Sequence, residues 1–299
     1  MTGQSTVALG KIDDPIDKPA LITRIRSLCR RQPLGAAGGI VVVVMCFAAA
    51  FAGFLTPYDP VANSLENMLS SPDGAHLMGT DEFGRDILTR VLYGARTALF
   101  IGLVAASLGA TLGLVLGVAS AYFGGIFDLV VQRIVDIFLA FPLVIMALAV
   151  VATLGPGVQN VIIAITVPFI PQCARVVRSS ALALREIPYV DAARALGFSH
   201  ARIILRHMAP NVMAPFLIML TYFVGQAILL EAVLSYLGMG VQDPTPAWGL
   251  MLKGGAEEFL ESAPWLSIFP GLAITLAVFG FNLFGDALRD LLDPKLRSR

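Results

Sequence analysis

The chain has 299 residues, of which 57% are hydrophobic and only 14% are charged, with 21 acidic residues against 21 Lys and Arg. Soluble globular domains carry roughly 45–50% apolar and about 25% charged residues, so a soluble fold of this length could not bury so much apolar surface. Nucleic-acid binding is not supported, because no segment combines a basic run with interleaved aromatic residues. The composition indicates a membrane protein whose solvent is lipid.

Six basic residues precede the first apolar run: Lys11, Lys18, Arg24, Arg26, Arg30 and Arg31. That run is long enough to span a bilayer, and no convincing signal-peptide cleavage site accompanies it. We therefore interpret residues 1–33 as a cytoplasmic leader and residues 34–299 as a transmembrane domain.

Six stretches contain the roughly 20 mostly apolar residues that a spanning helix needs. They are residues 35–55, 97–121, 134–154, 158–174, 212–236 and 264–286. The predicted fold class is thus an all-α polytopic membrane protein. Pro142 is expected to bend the third span, and Pro171 to break or tilt the inner end of the fourth. In the second span small residues recur every four positions, which indicates either a helix-contact ridge or ordinary glycine richness; they are Ala105, Gly109, Gly113 and Gly117.

The distribution of charge predicts the orientation. With six spans, seventeen Lys and Arg residues lie on the side of the two termini and four lie on the other side. Cytoplasmic loops carry the excess of positive charge, so both termini are predicted to be cytoplasmic. In the outer loop, Thr80 could cap a short interfacial helix whose first turn holds Asp81 and Glu82.

Residues 179–211 form the most informative segment and fall on the predicted cytoplasmic side. Pro188 suits a first helical turn, and Gly197 suits a helix stop. Ser199 could cap a second helix, which Pro210 would end. The pattern predicts a helix–glycine–helix hairpin, with Ala201, Ile204, Leu205 and Met208 on one apolar face of the second helix. Such a hairpin could dock on a partner protein or lie on anionic lipid.

Two acidic residues fall within predicted spans, Glu231 in the fifth and Asp136 in the third. Ionisable groups inside a membrane usually face the bundle interior or a wet cavity, so both are candidate residues of a translocation path. An interhelical structural role is the alternative for each of them.

Several blocks of the sequence resemble one known family. Asp191-Ala192-Ala193, Gly197 and the run from His207 to Pro210 and Asn211 resemble the EAA loop of binding-protein-dependent ABC permeases, although Asp191 stands where the family usually has Glu. Six further blocks resemble the dipeptide/oligopeptide/nickel branch, in particular its DppC-like or OppC-like subunit: 56–60, 79–97, 123–128, 140–147, 230–249 and 282–294.

The resemblance implies a type I ABC importer permease that works with a homologous permease, two cytosolic ATPase subunits and an extracytoplasmic solute-binding protein, in a bacterial inner membrane. It implies that the hairpin couples to an ATPase through Asp191, Ala192, Ala193, Gly197, Ser199, Arg202, His207 and Pro210. The chain has no G-x-x-x-x-G-K-[ST] phosphate loop, so ATP and Mg²⁺ are expected on the partner subunits and no cofactor is expected here. The chain itself is predicted to be non-catalytic.

Other classes remain at this stage. An ATP-independent secondary transporter or channel would show inverted repeats or a ring of intramembrane charges, and neither is found. A membrane-embedded enzyme would need a catalytic constellation, and the sequence shows none. Within the family, dipeptides, longer peptides, glutathione and nickel are all possible solutes.

Overall fold

The computed structural model describes residues 32–292, and the predicted leader therefore lies almost entirely outside the described residues. The described part is built of helices. They are α1 Pro33–Leu55, α2 Ile87–Phe123, α3 Gly125–Leu139, α4 Leu143–Leu154, α5 Val158–Arg185, α6 Pro188–Ala195, α7 His200–Ile203, α8 Met213–Tyr236, α9 Trp248–Glu257 and α10 Trp265–Leu292. Five helical stretches are long and apolar enough to cross a membrane, or six if α3 and α4 form one bent span.

The centre of the bundle is the packing of α2 against α5. The small residues of α2 allow this close approach: a Cβ added at Gly113 would lie 2.5 Å from Cys173 Cβ, and one at Gly117 would lie 2.6 Å from Ala174 O. A Cβ added at Gly109 would likewise lie 2.6 Å from Phe169 Cβ. The repeat of small residues in the second span is therefore a helix-contact ridge, as one of the two interpretations predicted.

The third predicted span, 134–154, is not one straight helix. The chain bends by 91° between α3 and α4. Pro142 lacks an N–H and disfavours helical geometry in the residue before it, so α3 ends at Leu139 and α4 begins after Pro142. The bend predicted at Pro142 is present, and it separates two helices rather than curving one.

The fourth predicted span is longer than expected, and the predicted break at Pro171 is wrong. Helix α5 continues through Pro168 and Pro171 as far as Arg185. Neighbouring helices stabilise such prolines in a packed bundle, and both are buried here. Two arginines on this extension pair with α3: Arg178 contacts Asp128 at 2.5 Å, and Arg175 contacts Asp136.

The predicted interfacial helix capped by Thr80 is also wrong. Helix α2 begins at Ile87, where the Asp86 side chain accepts a hydrogen bond from Thr89 N at 2.8 Å, and it runs without a break to Phe123. The Asp81 carboxylate is used elsewhere, accepting from Phe83 N and Arg85 N at 2.9 Å each. A carboxylate that accepts local backbone N–H groups stabilises a turn instead of a helix.

A partly buried ion cluster joins this turn to the connection between α8 and α9. Asp81 contacts Arg85 Nε at 2.6 Å and Arg90 Nε at 3.6 Å, while Asp243 lies 3.2 Å from Arg85 and 3.7 Å from Arg90. Both arginines are almost fully buried, and Arg90 also donates to Pro60 O at 2.9 Å. We call Asp81, Arg85, Arg90 and Asp243 the outer ion cluster, after the loop that the charge distribution of the sequence predicts to be on the outer side.

Candidate functional site

The segment that the sequence singled out folds as a hairpin at one end of the bundle. Pro188 stands in the first turn of α6, as predicted. Gly197 has φ +75, and Phe198 N donates to Ala193 O at 3.2 Å, which closes the end of α6. This left-handed glycine after a helix is the expected helix stop. Ser199 then caps α7 by accepting a hydrogen bond from Arg202 N at 3.3 Å.

The second arm of the hairpin does not end at Pro210. It passes from α7 into a π-helical turn, Ile204–Met208, then a 3₁₀ turn, Ala209–Val212, and continues directly into α8. Proline breaks the α-helical hydrogen-bond ladder, and here the chain changes helix type instead of leaving the helix. The expected stop is therefore a joint between the hairpin and a spanning helix.

Polar side chains hold this joint together. The carbonyl of His207 accepts from Asn211 Nδ2 at 2.6 Å and from the Tyr189 hydroxyl at 3.0 Å. Pro210 has no N–H for the preceding turn, so these two donors supply hydrogen bonds that the backbone cannot. Tyr189 belongs to α6, and its hydroxyl therefore ties the first arm of the hairpin to the joint.

One face of the hairpin is buried and the other is free. Val190, Ala193, Ile203 and Met208 are buried in the bundle core, whereas the side chains of Leu196 and Leu205 are 73% and 71% exposed. The predicted single apolar face of the second arm is therefore wrong, because Met208 and Leu205 lie on different sides. The π-helical turn changes the rotation per residue, so α-helical spacing does not hold there.

The other predicted coupling residues also lie on this hairpin. Asp191 is exposed and pairs with Arg194 at 3.3 Å, Ala192 is exposed, and Arg202 lies over the Phe198 ring at 4.2 Å. The ring of His207 stacks on Phe198 with centroids 5.9 Å apart. Six of the eight predicted coupling residues are exposed, Ala193 is buried and His207 is partly buried; the exposed ones are Asp191, Ala192, Gly197, Ser199, Arg202 and Pro210.

A further contact attaches the hairpin to α2. The hydroxyl of Tyr122 lies 2.7 Å from His200 Nδ1, and the guanidinium of Arg194 lies over the Tyr122 ring at 4.9 Å. Next to Tyr122 in the sequence, Ala121 O accepts a hydrogen bond at 3.2 Å from Arg185, the last residue of α5. The sequence did not single out Tyr122 or Tyr189, and Asn211 was noted only as part of the EAA-like motif. The signal for Asn211 was its position directly after a helix-interrupting proline.

The two intramembrane acidic residues are held differently. Glu231 is buried in α8, where its carboxylate accepts from the Ser235 hydroxyl at 2.7 Å, and Ser235 Oγ accepts from Val241 N at 3.0 Å. Asp136 is exposed on α3 beside Arg175 and 3.9 Å from Arg133. Glu231 thus organises the connection after α8, and Asp136 joins α3 to α5. Neither residue lies at the hairpin.

Metal-ligating side chains are scattered across residues 32–292 and do not cluster there. No group of three or more His, Cys, Asp or Glu side chains in that range could hold a metal ion. The site is an exposed hairpin that is hydrogen-bonded to α2 through Tyr122 and His200 and continues directly into α8.

Two family models match the sequence. The model described as the binding-protein-dependent transport system inner membrane component matches residues 109–298, which include the hairpin and its joint. The model described as the N-terminal TM domain of oligopeptide transport permease C matches residues 25–72.

Curated relatives extend over nearly the whole chain. A putative peptide transport system permease protein of Brucella suis biovar 1 is 45% identical over 282 residues, covering 94% of each chain. The dipeptide transport system permease protein DppC of Alkalihalophilus pseudofirmus is 43% identical and covers 90% of this chain and 88% of its own. The glutathione transport system permease protein GsiD of Pectobacterium atrosepticum is 39% identical, with 90% and 89% covered.

Among solved structures, the fold is similar to a chain of the MetNI methionine ABC transporter in an inward-facing conformation. The TM-score is 0.55 and the sequence identity 20%, with 68% of this chain and 96% of that chain covered. At that identity the likeness concerns the fold alone, and it supports the arrangement of helices described above. The family model over residues 109–298 and the relatives show that the chain belongs to the family of binding-protein-dependent transport system inner membrane components and is a multi-pass permease subunit of an ABC importer.

Proposed function

We propose that this permease subunit forms, with a homologous second permease, the pathway for uptake of dipeptides or oligopeptides. The curated relatives that support this solute class include a putative peptide permease and a dipeptide permease, each more than 40% identical. Two cytosolic ATPase subunits would supply the energy, and an extracytoplasmic binding protein would deliver the solute. ATP and Mg²⁺ would then be bound by the partner subunits and not by this chain.

The hairpin is the proposed docking element for an ATPase subunit. The observation that carries this proposal is the exposure of Leu196 and Leu205, 73% and 71%, on a hairpin whose opposite face is buried. Large apolar side chains on a free surface next to charged ones are typical of a protein-binding site. Asp191 and Arg202 are exposed on the same hairpin and supply charged groups for the proposed interface.

Replacing both leucines tests the docking. We expect the double variant Leu196→Ser, Leu205→Ser to lose most of its bound ATPase, because two apolar anchors of an interface are removed. Each anchor contributes on the order of 1–2 kcal/mol, so retention should fall at least tenfold. The measurement is co-purification of the ATPase subunits from membranes with matched permease levels. Leu65→Ser is the control, since Leu65 is 79% exposed in the loop between α1 and α2. Full retention in the double variant would contradict the proposal.

The orientation is part of the same proposal: both termini and the hairpin cytoplasmic, in the inner membrane. Its basis is the charge distribution, seventeen Lys and Arg residues on that side against four on the other. In a variant without native cysteines, Gly74→Cys should react with an impermeant thiol reagent from outside. Glu186→Cys should react only after permeabilisation. Both positions are exposed. Labelling of both from the same side would refute the orientation.

Glutathione is the second candidate solute, and the 39% identity to a glutathione permease favours it. Nickel stays an expectation from the resemblance. Uptake by the reconstituted importer with its binding protein, using labelled dipeptide and labelled glutathione in competition, separates the two organic solutes. An ATP-independent secondary transporter would accumulate solute without ATPase subunits, so uptake by this chain alone in liposomes would overturn the whole proposal.

A further inference from the structure

The hairpin meets the rest of the bundle in two kinds of contact. Val190, Ile203 and Met208 pack into the apolar core, and such packing does not depend strongly on direction. The contacts of Tyr122 do depend on direction: its hydroxyl lies 2.7 Å from His200 Nδ1, and its ring faces the Arg194 guanidinium at 4.9 Å. Tyr122 therefore touches both arms of the hairpin, Arg194 on the first and His200 on the second.

The position of Tyr122 near the end of α2 connects the hairpin to the opposite end of the bundle. Helix α2 is unbroken from Ile87 to Phe123, so its inner end touches the hairpin while its outer end carries Arg90 of the outer ion cluster. The glycine ridge packs the middle of α2 tightly on α5. Packed helices move as rigid bodies, because close-packed interiors are not continuously deformable. A shift of the hairpin at Tyr122 is thus passed along α2.

We infer that Tyr122 is a positioning residue, which sets the hairpin against α2 so that movement of a docked ATPase reaches the outer side of the permease. This inference rests on the proposed function of the hairpin. Docking itself would depend on Leu196 and Leu205, which are exposed, whereas Tyr122 is buried. Loss of the Tyr122 contact should therefore leave the ATPase bound and reduce the transport obtained from each hydrolysed ATP.

The test uses the complete importer reconstituted in liposomes with its binding protein, and it measures uptake per ATP hydrolysed. Tyr122→Phe keeps the buried ring and removes the hydroxyl. We expect uptake per ATP to fall about fivefold, because the loss of one partly buried hydrogen bond shifts a conformational equilibrium by about that factor. His200→Ala should have the same effect, and the double variant should lose no more than either single one, because both remove one contact. His200→Gln, which keeps a hydrogen-bonding side chain, should restore most of the ratio.

Tyr58→Phe is the matched control, since it removes a hydroxyl that donates to Ala75 O at 2.9 Å in the loop between α1 and α2. Its ratio should stay at the wild-type value. A normal ratio in both Tyr122→Phe and His200→Ala, or losses that add in the double variant, would overturn the inference. If the wild-type chain itself retains no ATPase, the proposed function fails, and that result appears before any variant is compared. His200 is exposed, so His200→Ala tests the contact without opening the core.

Discussion

Gly197→Val is expected to uncouple ATP hydrolysis from uptake while the chain stays inserted at its normal level. Gly197 has φ +75, and a Cβ added there would meet no atom within 4 Å. The substitution therefore introduces backbone strain and no clash. A left-handed conformation costs a non-glycine residue roughly 1–2 kcal/mol, and β-branched residues such as valine adopt it especially rarely. The hairpin can relieve that strain by changing the angle between α6 and α7, which displaces Leu196 from its docking position.

The measurements are ATPase co-purification and uptake at matched permease levels. Gly155→Val is the control for strain at a positive-φ glycine away from the hairpin, because Gly155 has φ +84 and open surroundings and lies between α4 and α5, at the far end of α5. Gly197→Asn should be tolerated better than Val, since Asn adopts the left-handed region more readily. Asp191→Ala should have a milder effect, because it removes one exposed carboxylate. Normal coupling in Gly197→Val would show that the angle of the hairpin is unimportant.

Asp81→Ala is expected to destabilise the permease more than any other single change considered. Asp81 contacts two buried arginines, Arg85 and Arg90, and accepts two backbone hydrogen bonds. Its removal leaves the two guanidinium groups with Asp243 as their remaining partner at ion-pair distance, 3.2 Å from Arg85 and 3.7 Å from Arg90. Removing one partner of a buried ion pair costs about 3–5 kcal/mol. The melting temperature of the purified importer and the membrane level of the permease should both fall clearly.

Two further variants separate charge from hydrogen bonding in the outer ion cluster. Asp81→Asn keeps an oxygen that can accept hydrogen bonds from Phe83 N and Arg85 N. Any decrease in its melting temperature relative to wild type therefore measures the contribution of the charge. Asp243→Asn should change the melting temperature little, because the Asp243 side chain is 53% exposed and its charge is screened by solvent. Equal destabilisation by Asp243→Asn and Asp81→Ala would contradict the assigned hierarchy within the cluster.

Local rules predicted the parts of the fold that depend on near neighbours in sequence. Runs of apolar residues located the spanning helices. Pro188 marked the start of α6, Gly197 its end, and Ser199 the cap of α7, and all three are confirmed. These features follow from backbone geometry and from hydrogen bonds between residues a few positions apart. Such local interactions do not depend on where the segment lies in the fold. The family resemblance was carried by such segments and is likewise confirmed.

Tertiary structure decided the rest. Thr80 was an acceptable cap in isolation, yet the Asp81 carboxylate is held by Arg85 and Arg90, and Arg85 in turn contacts Asp243, 158 positions away in sequence. Pro171 would break an isolated helix, but α5 is buried against the ridge of α2 and continues. The contact between Tyr122 and His200 joins residues 78 positions apart. Helix ends and anchoring contacts of this kind depend on partners that only the folded bundle brings together. The sequence by itself therefore determined the positions of the spans and of the hairpin turn. The packing of the bundle determined how the hairpin is attached.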